Sequence, residues 1–174
     1  PLTNHVGLRT LLTHGVGTGS ESGRMRYARD DRLTDPFGAW KRLRLERWER
    51  ARPVGVALAG AGLLGLGWVV WRRARALWAA QCLSQLAVVL VAQLTNYYYS
   101  FLLLSAPLAR ARRRLAAPLL GVAVASHFVA AGFWWTDDRY AALGLLALLW
   151  CGWVVWTYAK RPRGRLSPGA ADGR

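Results

Sequence analysis

Long uncharged stretches rich in Leu, Ala, Val, Gly and Trp, each bounded by arginines, recur at residues 53–71, 76–109, 115–136 and 140–159. A helix needs about 20 residues to cross a hydrocarbon core of about 30 Å. The pattern therefore predicts an all-α, polytopic transmembrane helical bundle of about four spanning helices. The second stretch is longer than a span needs: its 34 residues would make about 50 Å of helix, so it either protrudes or breaks. Its polar residues Gln81, Ser84, Gln85, Gln93, Thr95, Asn96 and Ser100 fall within about half of one helical wheel, which favours a single helix with a face turned away from lipid. A re-entrant pair of arms meeting near Asn96 is the rival.

Ahead of the spans the pattern changes. Residues 1–34 are polar, with a short apolar helix candidate near Val6 to Leu12 followed by a glycine-rich run, and read as an extramembrane loop segment. Asp35 and Pro36 give a helix start. The helix predicted over 35–52 groups Phe37, Trp40, Trp48 and Ala51 on one face and Lys41, Arg42, Arg50 and Arg52 mostly on another, the form of an interfacial basic helix. Arg44 and Arg47 occupy mixed positions, which leaves open a charged continuation of the first span. In that span Ala57, Ala61 and Gly65 recur at four-residue intervals, a spacing that lets helix backbones approach closely. Residues 160–174 read as a basic disordered tail.

Charge narrows the partners. The chain has 24 Lys and Arg against 9 Asp and Glu, a formal net charge of +15, with the excess placed beside the apolar spans. That placement suits a lipid bilayer with anionic headgroups and excludes nucleic acid, because the aromatics lie in or at the ends of spans rather than on a soluble basic face. Arg72, Arg73, Arg110, Arg112, Arg113, Arg114, Lys160 and Arg161 are the expected headgroup contacts. Four spans would put residues 41–52, 110–114 and 160–165 on one cytoplasmic side, with only Arg72 to Arg75 breaking the positive-inside rule. The re-entrant rival moves Arg72 to Arg75 inside and residues 1–52 outside. Both leave the C-terminus cytoplasmic, in a multi-pass protein of the bacterial inner membrane.

Candidate chemistry is sparse. His127, near the middle of the third stretch, is either a proton or substrate path residue or a neutral histidine bonded to a neighbouring helix. Tyr99, within Asn96-Tyr97-Tyr98-Tyr99-Ser100, either contacts substrate or anchors at an interface. Asp137 and Asp138 are either a reacting pair or acids favourably placed at the start of the last span. The substrate or path candidates are thus His127, Gln81, Gln85, Gln93, Asn96, Tyr99, Asp137 and Asp138. Cys82 and Cys151 lack metal or disulfide spacing, and His5, His14, Asp30 and Asp31 lack tight ligand spacing, so no metal and no cofactor is expected.

The strings NHVGLRTLL at 4–12, DPFGAWK at 35–41, NYYYSFLL at 96–103 and DDRY at 137–140 resemble the C-terminal region of bacterial polytopic membrane proteins related to the large-loop, GT-C-type glycosyltransferases. The resemblance implies transfer of a sugar from a polyprenyl-phosphate carrier at the outer membrane surface. It also implies a catalytic acid in an early loop that these 174 residues do not contain. On this reading the chain is a scaffold within a larger parent polypeptide, and its catalytic residues are unknown. The alternatives are a transporter or channel using His127 and the polar face of the second stretch, or a non-catalytic membrane assembly subunit.

Overall fold

The computed structural model describes residues 5–15, 36–74, 76–92, 94–95, 105–133 and 135–160. They form an all-α bundle with a single two-residue ladder. The order is β1 (His5–Val6), α1 (Leu8–Leu12), α2 (Pro36–Arg73), α3 (Leu77–Ser84), α4 (Ala87–Val91), β2 (Leu94–Thr95), α5 (Ala106–Ala111), a 3-10 turn at Arg113–Leu115, α6 (Ala116–Gly132) and α7 (Thr136–Ala159). Three helices, within α2, the Arg113–Gly132 segment and α7, are long and apolar enough to cross a membrane. Their outward side chains fit lipid: Leu64, Trp71 and Phe128 are each more than two-thirds exposed, which water would penalise and hydrocarbon does not. This is a membrane protein.

Helix α2 runs without interruption for 38 residues from Pro36, about 57 Å; the expected cap at Asp35 lies outside the described residues. The separate interfacial helix expected over 35–52 is instead the first part of α2. Pro53 lies inside it. A proline removes one backbone donor and crowds the preceding turn. Here it is exposed, as are Arg50 and Arg52.

The second stretch is not one helix. α3 and α4 together cover Leu77–Val91, only about 22 Å, with a tight hitch at Gln85 and Leu86 where Leu86 N–H bonds the Leu83 carbonyl at 3.0 Å and Val88 N–H the Gln85 carbonyl at 3.1 Å. Helix ends at Ala92, whose backbone is extended (φ −102°, ψ 151°). The chain then pairs as β2 with β1, antiparallel, His5 opposite Thr95 and Val6 opposite Leu94. Among the described residues three helices are long enough to span, and the break in the second stretch goes with that pairing: a backbone leaving the helix inside an apolar bundle must find another partner for its N–H and C=O groups.

The pairing draws residues 5–15 into the bundle. The short helix expected near 6–12 is present as α1, packed against α2, α4 and α7, with Val6, Thr10 and Thr13 buried. Gly7 makes this insertion fit. Its φ is +139°, and a Cβ there would stand 3.0 Å from the carbonyl oxygens of Val89 and Ala92, while a Cβ on Gly144 would come within 3.3 Å of the Gly7 carbonyl oxygen. In α2 the close approaches are at Gly55, against Leu12 and Trp48, and Gly62, against Leu90. The Ala57, Ala61 and Gly65 stripe faces outward instead.

The core gathers Val6, Leu66, Val69, Leu83, Leu86, Val89, Leu108, Leu115, Trp150 and Val154 from seven segments. α7 is its axis, burying eleven of its residues, whereas α6 buries none and lies on the outside. Trp150 donates its indole N–H to Ser105 Oγ at 3.1 Å, fastening the return of the broken stretch to the middle of α7.

Helix direction settles which arginines keep company. Trp40 and Arg44, early in α2, contact Asp137 at the start of α7; Arg72 and Arg73, at the end of α2, share a pocket with Arg112 and with Tyr158 at the end of α7. The two helices are therefore parallel. Arg72 and Arg73 join Arg112 and the end of α7 at one end of the bundle, and Lys41 to Arg52 begin at the other. This differs from the grouping expected from four spans; the point near Asn96 where re-entrant arms would meet lies outside the described residues.

Gly7→Ala is expected to destabilise the protein by about 2 kcal/mol, from a side chain in a disfavoured φ region against two carbonyls. Gly65→Ala, with open space around it, is expected to be neutral or stabilising. Thermal unfolding in a neutral detergent checks both.

Candidate functional site

Where α1, α2 and α7 converge, polar side chains collect in an otherwise apolar bundle. Asp137, in the first turn of α7, is buried, with 3 % of its surface exposed. Trp40 donates its indole N–H to Asp137 Oδ2 at 3.0 Å, and the Arg44 guanidinium approaches Oδ1 at 3.7 Å. Arg44 also donates to Thr13 Oγ1 at 3.2 Å and lies 4.8 Å from the centre of the Trp40 ring. Arg47 reaches the Thr13 carbonyl at 3.4 Å, and Arg9 stacks on Trp48 at 4.6 Å. A buried carboxylate is costly unless it is paired and hydrogen-bonded, and here a guanidinium and an indole N–H meet it.

Next to it, His14 Nε2 and Asp138 Oδ1 are 2.7 Å apart, both partly exposed. They edge an open cleft of about 460 Å³ whose other walls are Leu11, Phe133, Ala141, Ala142 and Leu145. An imidazole held by a carboxylate can exchange a proton with a group in the cleft. Among the described residues no group of three or more His, Cys, Asp or Glu could hold a metal ion.

The remaining candidates do not join this site. His127 is exposed on α6, its Nδ1 2.9 Å from the Ala123 carbonyl of its own helix, not bonded to a neighbouring helix. Gln81 is exposed on α3 and Gln85 is part-buried at the hitch, its Oε1 without a hydrogen-bond partner. Gln93, Asn96, Tyr99 and Arg161 lie outside the described residues. Of the expected headgroup contacts, Arg72, Arg110, Arg113, Arg114 and Lys160 are exposed, and Arg73 and Arg112 are partly buried.

The partners of Asp137 and Asp138 were not picked out as such from the chain. The available signal was the placement of Arg44 and Arg47 off the polar face of their helix, since a basic residue on a helix's inner side needs a carboxylate or carbonyl to meet it. His14 carried no signal of its own: its partner is 124 positions away.

No protein-family model matches the chain, and no characterised protein or solved structure matches it.

Trp40→Phe keeps the ring but removes the donor to Asp137, and is expected to cost about 1–3 kcal/mol in thermal unfolding. His5 supplies a pH test. Burial first, then the charges of Arg44 and Arg9, hold its pKa below the usual value. A lowered histidine pKa means that the folded state binds the proton less readily than the unfolded one. This contribution is present above about pH 6.5 and is lost as pH falls below it. Hydrogen exchange at residues 5–15 is expected to quicken over that range, and His5→Gln to remove that part of the pH dependence.

Proposed function

We propose that the chain is a scaffold module of a multi-pass protein in the bacterial inner membrane, holding residues 5–15 against one membrane face and carrying no reacting group of its own. The supporting observation is the state of Asp137: the one buried carboxylate among the described residues is enclosed by Trp40 and Arg44 from the same chain. Groups arranged that way fasten elements together rather than await a substrate.

In the favoured orientation the Arg72, Arg112 and Lys160 end is cytoplasmic, and the Asp137 end, with residues 5–15, faces outward. That agrees with the setting implied by the resemblance to lipid-linked sugar transferases, in which a polyprenyl-phosphate sugar is used at the outer surface. Within such a parent this segment would supply helical support, and the catalytic acid would come from elsewhere. The transport alternative needs His127 and the glutamines to share a path, but His127 faces out of the bundle from α6 and Gln81 is exposed on α3.

His14 and Asp138 favour one second reading, a proton-transferring pair at the mouth of the cleft, and the two readings diverge under substitution. For a scaffold, His14→Gln and Asp138→Asn lower cellular function only as far as they lower the amount of folded protein. Complete loss of function with full abundance and unchanged melting would overturn the scaffold. Orientation is read separately: with Cys82 and Cys151 replaced by Ala, single cysteines at Arg72, Arg114 and Lys160 are expected to be shielded from an impermeant thiol reagent outside the cell, and one at Glu49 to be labelled.

A further inference from the structure

The opposite end of the bundle holds a different kind of site. Arg72 and Arg73 close α2, Arg112 lies between α5 and the 3-10 turn, and Tyr158 is in the last turn of α7; together they line a pocket of about 300 Å³. Each guanidinium lies over an aromatic ring: Arg72 over Trp71 at 5.1 Å, Arg73 over Trp68 at 5.9 Å and Arg112 over Tyr158 at 4.8 Å. Stacking fixes the cation while leaving its N–H edge for an acceptor. One donor is used, since Arg112 Nη1 bonds the Thr157 carbonyl at 3.3 Å.

No carboxylate among the described residues lines the pocket. The described carboxylates are Glu46, Glu49, Asp137 and Asp138, all on the early part of α2 or the start of α7. None of these three arginines has a carboxylate partner among them. Arg73 Nε and the Tyr158 hydroxyl are buried without a hydrogen-bond partner, and Tyr158 itself is 95 % buried, being 5 % exposed. Buried donors left unmade are costly, and clustered guanidiniums repel one another unless a counter-charge lies among them.

We infer that this pocket binds the phosphate of an anionic phospholipid, gripped by Arg72, Arg73, Arg112 and the Tyr158 hydroxyl. Phosphate matches the forked geometry of guanidinium. The choice of a lipid over a soluble phosphate comes from the adjoining groove, which shares Trp78 and Ala111 with the pocket and continues along Pro107 beside Arg110. Trp78 is partly exposed and its neighbour Leu77 is 86 % exposed, so an acyl chain has an apolar track leading from the charged end. Indole and arginine side by side mark headgroup depth.

The test compares the protein in nanodiscs of phosphatidylcholine alone and of about a 4:1 mixture with phosphatidylglycerol, followed by lipid retention in native mass spectrometry and by melting temperature. Phosphatidylglycerol is expected to raise the melting temperature and to stay bound through detergent exchange. Arg73→Gln with Arg112→Gln should abolish both effects, whereas Arg50→Gln with Arg52→Gln, at the other end, should retain them. Tyr158→Phe, which keeps the ring beneath Arg112, is expected to weaken retention several-fold without loss of folding, so the inference can be checked even if the double arginine variant does not fold. Equal stabilisation by inorganic phosphate in phosphatidylcholine would overturn the lipid assignment in favour of a soluble anion. Unchanged retention in Tyr158→Phe and the arginine variant, or no effect of phosphatidylglycerol on the parent, would overturn the site.

Discussion

A peptide group inside an apolar bundle has no water to bond, so every departure from helix must be matched by another stretch of backbone. The architecture of this protein turns on one such match. The chain leaves the helical path at Ala92, and the peptide groups of Leu94 and Thr95 are met by His5 and Val6. The ladder is only two residues long on each strand, yet it brings the N-terminal segment into the bundle, sets α1 between α2, α4 and α7, and places His14 beside Asp138. Glycine at position 7 is the steric condition for all of this, because two carbonyls and α7 crowd its backbone.

The membrane class and the long helices were legible in the chain because hydrophobic length is a local property. The end of the predicted interfacial helix was misplaced at Pro53, since proline is a strong local signal against helix, yet α2 continues through it at an exposed position. The break in the second stretch had no local mark at all: neither Gln85 nor Ala92 is a glycine or proline, and the partner that permits the break lies about 90 positions upstream, a distance visible only in three dimensions. The polar wheel presumed a helix continuing past Ala92, but Gln81 and Ser84 are exposed on α3, Thr95 is in β2, and Gln93, Asn96 and Ser100 lie outside the described residues.

The two polar ends also differed in legibility. Asp137 and Asp138 stood out because acids are rare in this chain, but their partners come from segments far away in sequence. At the arginine end the informative residues were Arg72 and Arg73, which broke the positive-inside pattern under a four-span reading. In the structure they join Arg112 and the end of α7. The apparent exception in charge placement thus marks residues that share one end of the bundle with another arginine and the end of α7.

Helix α2 is joined to its parallel neighbour early in its course, by Trp40 and Arg44 at Asp137. Such a strut cannot slide along α7 by one turn, about 5.4 Å, without parting the indole from the carboxylate. Membranes of unequal thickness must then be met by leaning of the whole bundle or by deformation of the lipid around it, while α6, with no buried residue, is the long helix with the least packing to lose in adjusting its own angle.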